Sequence, residues 1–376
     1  METDYSFNRN QLLALSALMF LVPLLRLFPN AAAETASRAA AFTAPAALPF
    51  IIFYLCFICS FMDRRKDGEG LAELSIRCLG EKHGRPAVIA EAFWLLLYSG
   101  FLLRCSADRL MTTIYPYGSS VFFILTMGLI CCLAALGPAR SIVRSAKIAL
   151  PFIYGILLLI LFFAVSSVSR KNLMPVTASD IPHIIKGSLA EADVLSAVIY
   201  LSCFFAAFCP RQKGTFRICS CFSVLMLLLT ALLCTAVVGS FGAELCTRLA
   251  WPFFSLVRNM VFFHTLERVD ALVVAVWVIP DFLLVSMLLH SAQYCIRLAL
   301  GEASPQYNGE KLLSMERKRW IIPVCSAVSA GIALLIAPDP VNLELWSEKI
   351  IPVLNLAFAF VFLPAVYITG IIKKKL

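Results

Sequence analysis

Ten long apolar stretches run through this 376-residue chain, separated by short loops that are basic on every second crossing. That pattern leaves few architectures open. A bilayer core about 30 Å thick needs roughly 20 apolar residues per helical span. Only helices or closed barrels satisfy their backbone hydrogen bonds inside it. The runs are continuous and Leu-rich and do not alternate as barrel strands would. The reading is therefore an all-α transmembrane protein, 60% hydrophobic and only 15% charged. The spans fall at about 10–29, 46–62, 87–112, 119–137, 149–168, 193–209, 219–241, 270–292, 321–337 and 350–371. They form one membrane domain over 1–376.

The loops set orientation. With these spans, 21 of the 32 Lys and Arg residues lie on the side of the N-terminus, 8 on the other, and Arg26, Arg104 and Arg109 within spans. The positive-inside rule then places both termini in the cytoplasm. The acidic, polar start Met-Glu-Thr-Asp-Tyr-Ser lacks a signal peptide's basic region and cleavage site, so the first run reads as a retained span. The net charge of +9 suits anionic lipid headgroups. It is spread over many loops and forms no nucleic-acid-binding stripe.

Two loop segments carry helical patterns. Residues 70–80 place Leu71, Leu74, Ile76 and Leu79 near helical spacing, as in a short interfacial helix. Segment 252–264 opens with Pro252 at a first-turn position and is too short to span, which suggests an outer interfacial or re-entrant helix. Most of the 14 cysteines lie in spans, where they act as small apolar residues. Cys219 and Cys221 read the same way rather than as a redox pair. No cysteine or histidine spacing indicates a zinc site. P-loop and zinc-protease motifs are missing, and no cofactor or catalytic cluster is indicated.

Charged residues inside spans mark pathways or paired interior sites. Span 3 carries Glu91, Arg104, Asp108 and Arg109. Arg104 and Asp108, four apart, share a face and can pair. Arg109 is placed to snorkel to water, and Glu91 to sit at the cytoplasmic interface. In span 8, Pro280 frees the carbonyl of Val276 beside Asp281. That Asp either binds a cation or substrate amine, or bonds a neighbouring helix. Pro23 kinks or breaks span 1, with Arg26 one turn later meeting either a carboxylate or the headgroups. Tyr98 and Tyr200 are interior and offer hydroxyls to a ligand or to an adjacent helix.

Several stretches resemble one family, the endospore germination permeases, the B subunits of nutrient germinant receptors within the amino acid–polyamine–organocation superfamily. They are Leu79-Gly-Glu-Lys-His-Gly84, Gly137-Pro-Ala-Arg-Ser-Ile-Val-Arg144, Asn172-Leu-Met-Pro-Val176, Trp251-Pro-Phe-Phe-Ser-Leu-Val-Arg258 and Leu266-Glu-Arg-Val-Asp-Ala through Trp277. The last two are the most specific. The resemblance implies ten helices in a LeuT-like 5+5 inverted repeat, helices 1–5 over about 10–168 and 6–10 over about 193–371. Helices 1 and 6 would be broken around a ligand. It implies a small-molecule germinant, commonly an amino acid, sensed in the inner membrane of a dormant spore together with A and C subunits. On this basis the ligand site is expected at Leu21, Val22, Pro23, Tyr98, Tyr200, Ser202 and Cys203, with Asp281, Arg104 and Asp108 as ion or coupling residues. A carboxylate-bearing ligand fits if half-helix N–H groups face it. A stand-alone amino acid transporter coupled to H⁺ or Na⁺ is the competing reading.

Overall fold

A backbone in lipid must bond to itself, and the chain does so helix after helix. The computed structural model describes residues 9–66, 69–204, 214–260, 269–301, 320–336 and 339–375. Its helices are α1 Arg9–Ala36, α2 Leu48–Met62, α3 Leu71–Leu79, α4 Glu81–Thr113, α5 Ser120–Leu136, α6 Ala139–Ala164, α7 Ile181–Phe204, α8 Thr215–Phe241, α9 Ala243–Arg248, α10 Pro252–Asn259, α11 Val269–Ala299, α12 Ile321–Ile336, α13 Pro340–Leu345, α14 Ile351–Ala357 and α15 Leu363–Ile372. Among the described residues, six helical segments are long and apolar enough to cross a membrane. Three more, 10–25, 120–136 and 321–336, are apolar but shorter.

Glycine and proline punctuate the helices. Gly80, at φ +83°, ends α3 and starts α4. Gly242, at φ +77°, ends α8 with its N–H on the Val238 carbonyl, 2.8 Å away. Left-handed positions of this kind carry little steric penalty only for glycine. Pro252 opens α10 at the first turn, where no N–H is needed. Both loop helices expected from the sequence are thus present. Of segment 252–264, residues 261–264 lie outside the described residues, as do 205–209 of the span expected at 193–209.

Several expectations need correction. Helix α1 does not break at Pro23 but runs from Arg9 to Ala36 through both Pro23 and Pro29. A proline removes one backbone bond, yet its fixed φ suits a helix. Packing against α6, α7, α8 and α9 holds the chain in line. Tyr154 of α6 also donates its hydroxyl to the Ala17 carbonyl at 2.9 Å. Helix α7 is likewise continuous over Ile181–Phe204 and begins well before residue 193. The side chain of Arg26 lies outside the described residues.

The interior is organised on α1, α4, α7 and α11. Helices α4 and α11 pack along their length, and α1 lies against α7. The most apolar stretch of α4 is 67% buried and that of α6 only 28%, so α4 is central and α6 peripheral. Phe152 and Phe162 of α6, Phe122 and Leu133 of α5, and Leu335 of α12 point outward as a lipid-facing surface. Helices in lipid gain no hydrophobic drive toward one another, so close packing and interhelical hydrogen bonds hold them. At Gly100 a Cβ would lie 2.7 Å from both the Ser329 carbonyl oxygen and Ile332 of α12. The hydroxyls of Ser99 and Ser329 bond beside it. Gly84 plays the same part between α4 and α3, where a Cβ would meet the Ile76 Cα at 2.6 Å.

Gly100→Val is expected to destabilise the protein by roughly 1–3 kcal/mol, the usual cost of overpacking. Gly155→Ala, with open space where its Cβ would go, should be neutral or slightly stabilising. Thermal unfolding of the detergent-purified protein checks both. An equal Tm for Gly100→Val and wild type would reject the close-approach reading.

Candidate functional site

The central feature is an ion pair. Arg109 of α4 and Asp281 of α11 bond directly, 3% and 2% exposed. The sequence suggested that Arg109 would reach water and that Asp281 would either bind a cation or bond a helix. The fold puts Arg109 inside, and Asp281 takes the second course. The guanidinium also faces the rings of Trp251 and Phe254, 5.8 and 5.7 Å from their centroids. Such contacts favour a desolvated cation. Trp251 donates its indole N–H to Asp108 at 3.3 Å. The segment around Pro252 thus closes over the pair from the loop side.

Beside this pair lies a narrow cavity of about 20 Å³, room for roughly one water molecule. Val22 and Pro23 of α1 form one wall. Tyr98, Phe101, Leu102 and Cys105 of α4 form another, with Arg109 and Asp281 at its edge. Asp193 and Val194 of α7, Trp251, and Ile351 and Asn355 of α14 complete it. Asp193 is 1% exposed, and one of its carboxyl oxygens has no hydrogen-bond partner. The Asn355 side chain stands next to it. Asn355 itself lies between two π-helical turns, Trp346–Ile350 and Phe358–Phe362. Turns of that kind loosen the backbone ladder and recur at functional sites.

The lining thus carries one cation, Arg109, against two carboxyls, Asp193 and Asp281. Asp281 is satisfied by Arg109. Asp193 is buried with an open acceptor, which is costly without a partner. Asp193 and Asn355 offer acceptors to a cationic group, and Tyr98, Phe101 and Trp251 form apolar walls beside them.

Of the residues expected from the sequence, Val22, Pro23, Tyr98 and Asp281 come together here. Leu21 is fully buried in the apolar core, away from the cavity lining. Tyr200 packs edge-on to Trp94, 5.3 Å between centroids, below the cavity. Ser202 bonds Ser16 of α1 at 2.7 Å. Cys203 donates to the Ile199 carbonyl at 3.2 Å. Arg104 and Asp108 are both buried, with Asp108 engaged by Trp251. Sequence reasoning missed Asp193 and Asn355. Asp193 falls where the sixth span was expected to begin, so it read as a terminal residue. Glu91, expected at the interface, is fully buried. Helix α4 extends to Glu81, ten residues before it, and α3 folds back beneath.

The described helical bundle is similar in fold to solved LeuT-fold transporters. Mhp1, a nucleobase-cation-symport-1 family transporter in a closed conformation with bromovinylhydantoin bound, is similar over 97% of this chain and 82% of its own, at 16% identity and a TM-score of 0.51. MhsT in complex with L-phenylalanine is similar over 98% and 99%, at 14% and 0.55. A Na⁺-coupled sialic acid symporter, substrate-bound and outward-open, is similar over 95% and 88%, at 14% and 0.52. At such identities the likeness is one of fold. The family itself comes from the sequence: residues 19–308 match the model of the spore permeases, described as spore germination protein, and the chain belongs to that family. No curated protein matches it.

Breaking a buried pair by removing one partner typically costs about 3–5 kcal/mol, because the other charge is left uncompensated. Arg109→Met and Asp281→Leu should each lower the thermal midpoint strongly. The double variant should be closer to wild type than either. A double-mutant cycle read by thermal unfolding checks this, and simple additivity would contradict direct pairing.

Proposed function

We propose that this chain is the nutrient-sensing, permease-like subunit of a spore germination receptor. On this reading it crosses the spore's inner membrane ten times as two five-helix inverted repeats, with both termini cytoplasmic, and works with receptor A and C subunits. Its ligand is a small molecule with a protonated amine, an amino acid being the simplest. One observation carries this: Asp193, buried in the cavity wall with an open carboxyl oxygen beside Asn355.

On this reading each lining residue has a role. Asp193 and Asn355 receive the ammonium. Tyr98, Phe101 and Trp251 receive the apolar side chain. Helices α1 and α7 are continuous at the cavity and offer no half-helix N–H groups to a carboxylate. The ligand's carboxylate turns instead to Arg109, in competition with Asp281. Loosening Arg109 from Asp281 shifts α4 relative to α11, which gives the ligand a differential affinity for two arrangements of the bundle. A nearly complete switch needs about 5.5 kcal/mol of such difference.

A second reading is a stand-alone amino acid transporter coupled to H⁺ or Na⁺, with Asp281 in the coupling role. The likeness in fold to a nucleobase-cation-symport-1 family transporter and to a Na⁺-coupled sialic acid symporter favours it. Uptake of labelled amino acid into proteoliposomes holding this chain alone would decide for the transporter.

Thermal-shift titration of the purified protein with amino acids, sugars and nucleosides identifies the ligand class. Asp193→Asn should weaken binding of the amino acid that shifts the wild type by at least about tenfold, or 1.4 kcal/mol. Val22→Trp, which fills the cavity, should abolish it. Wild-type affinity in both variants would remove the pocket from consideration, and a response to sugars or nucleosides alone would remove the amine.

A further inference from the structure

Beneath the cavity, five helices bring a second set of titratable groups together. Glu91 of α4 is fully buried, and Glu73 of α3 is 8% exposed. One oxygen of each carboxyl has no hydrogen-bond partner, and neither does the buried hydroxyl of Tyr54 from α2. The second Glu73 oxygen accepts the Gly70 N–H at 3.0 Å. The second Glu91 oxygen is 3.4 Å from the Ser75 hydroxyl. Tyr200 of α7 sets its hydroxyl beside Glu91, outside strict hydrogen-bond geometry, and near Tyr54. Cys295 of α11 faces both carboxyls. Among the described residues, the groups acting on Glu91 are Tyr200, Ser75 and Glu73. Around α3, Glu69 pairs with Arg77 at 3.2 Å, Lys375 faces Cys78, and Lys373 bonds the Leu79 carbonyl at 3.1 Å. These cations gather toward the C-terminal end of α3.

Two carboxyls in one dry site without a cation cannot both be ionised at low cost. The open carboxyl oxygens call for hydrogen-bond donors that the described side chains beside them do not supply. We propose that Glu73 and Glu91, with Tyr200 beside Glu91, form a proton-binding site that holds one proton, taken from water on the side of the membrane where α3 lies. The site is separate from the cavity above and does not depend on what that cavity binds. One ring stack divides the two: Tyr200 packs edge-on to Trp94, and Trp94 stacks on the cavity residue Tyr98 at 5.8 Å.

Burial pushes the Glu73 carboxyl up to about 7, against the pull of its hydrogen bonds from the Gly70 and Glu73 N–H groups. A raised carboxyl keeps its proton in the folded state after the unfolded chain has lost it. Stability therefore falls as pH rises from about 4.5 to about 7 and is flat above, as far as this group decides it.

The test is a pH titration of the full-length protein in lipid nanodiscs, read by infrared difference spectra of the protonated-carboxyl C=O band. Wild type should lose a band component near neutral pH. Glu73→Gln and Glu91→Gln should each shift its midpoint, and the double variant should lack it. Tyr200→Phe keeps the ring. Removing the hydroxyl beside Glu91 should raise the midpoint. An unchanged component in the double variant, or an unchanged midpoint in Tyr200→Phe, overturns the proposal. So does loss of the band on adding Na⁺ or K⁺ at constant pH, which would make this a metal-cation site.

Discussion

The bond between Arg109 and Asp281 joins the two central helices at a depth where neither charge has water. Everything near the cavity is arranged around that constraint. Pro280 frees a turn of α11 at Asp281, and Trp251 and Phe254 lay their rings against the guanidinium. Asp108 then satisfies the Trp251 indole. A buried pair of this kind is weak evidence for net stability, since apolar substitutes often pack as well. Its value here is geometric. It fixes the register of α4 against α11 and spends Asp281, which leaves Asp193 as the open acceptor in the cavity.

The two acidic sites differ in what they lack. Asp193 lines the cavity next to an amide, where a cationic group can meet it. Glu91 lies near Glu73 with Tyr200 and Ser75 beside it, where a proton can be held. The cavity and the lower site lie on opposite ends of one aromatic stack in α4 and α7. Helix α3, which carries Glu73, is held beneath the bundle by the close approach that Gly84 permits. Its docking and the ionisation of its own glutamate are therefore bound together.

The architecture was largely legible in the sequence because lipid enforces a simple rule. Long apolar runs must be helices, and Gly80, Gly242 and Pro252 mark their ends by backbone chemistry that needs no partner. The short helices at 71–79 and 252–259 followed from the same local signals. The site was legible only in part. Of the expected residues that line the cavity, Pro23, Tyr98 and Asp281 stood out as a proline or an intramembrane polar residue in an apolar run, and Val22 came from the family resemblance. Asp193 was passed over because the span was expected to begin there, whereas the helix starts at Ile181, and Asn355 because it lies in an apolar run with no charge to draw attention. Pro23 misled, because local chemistry said the helix must yield there, while neighbouring helices hold it in line.

The sequence by itself therefore determined the solvent, the helical class and the family. These rest on composition, span length and motifs, each a property of contiguous residues. Only the tertiary structure decided which charges pair, which carboxyls stand open and where the cavity lies. Those outcomes depend on residues such as Arg109 and Asp281 meeting across 172 positions of chain. Coulombic and packing energies are set by distance in space, and no local pattern encodes that distance.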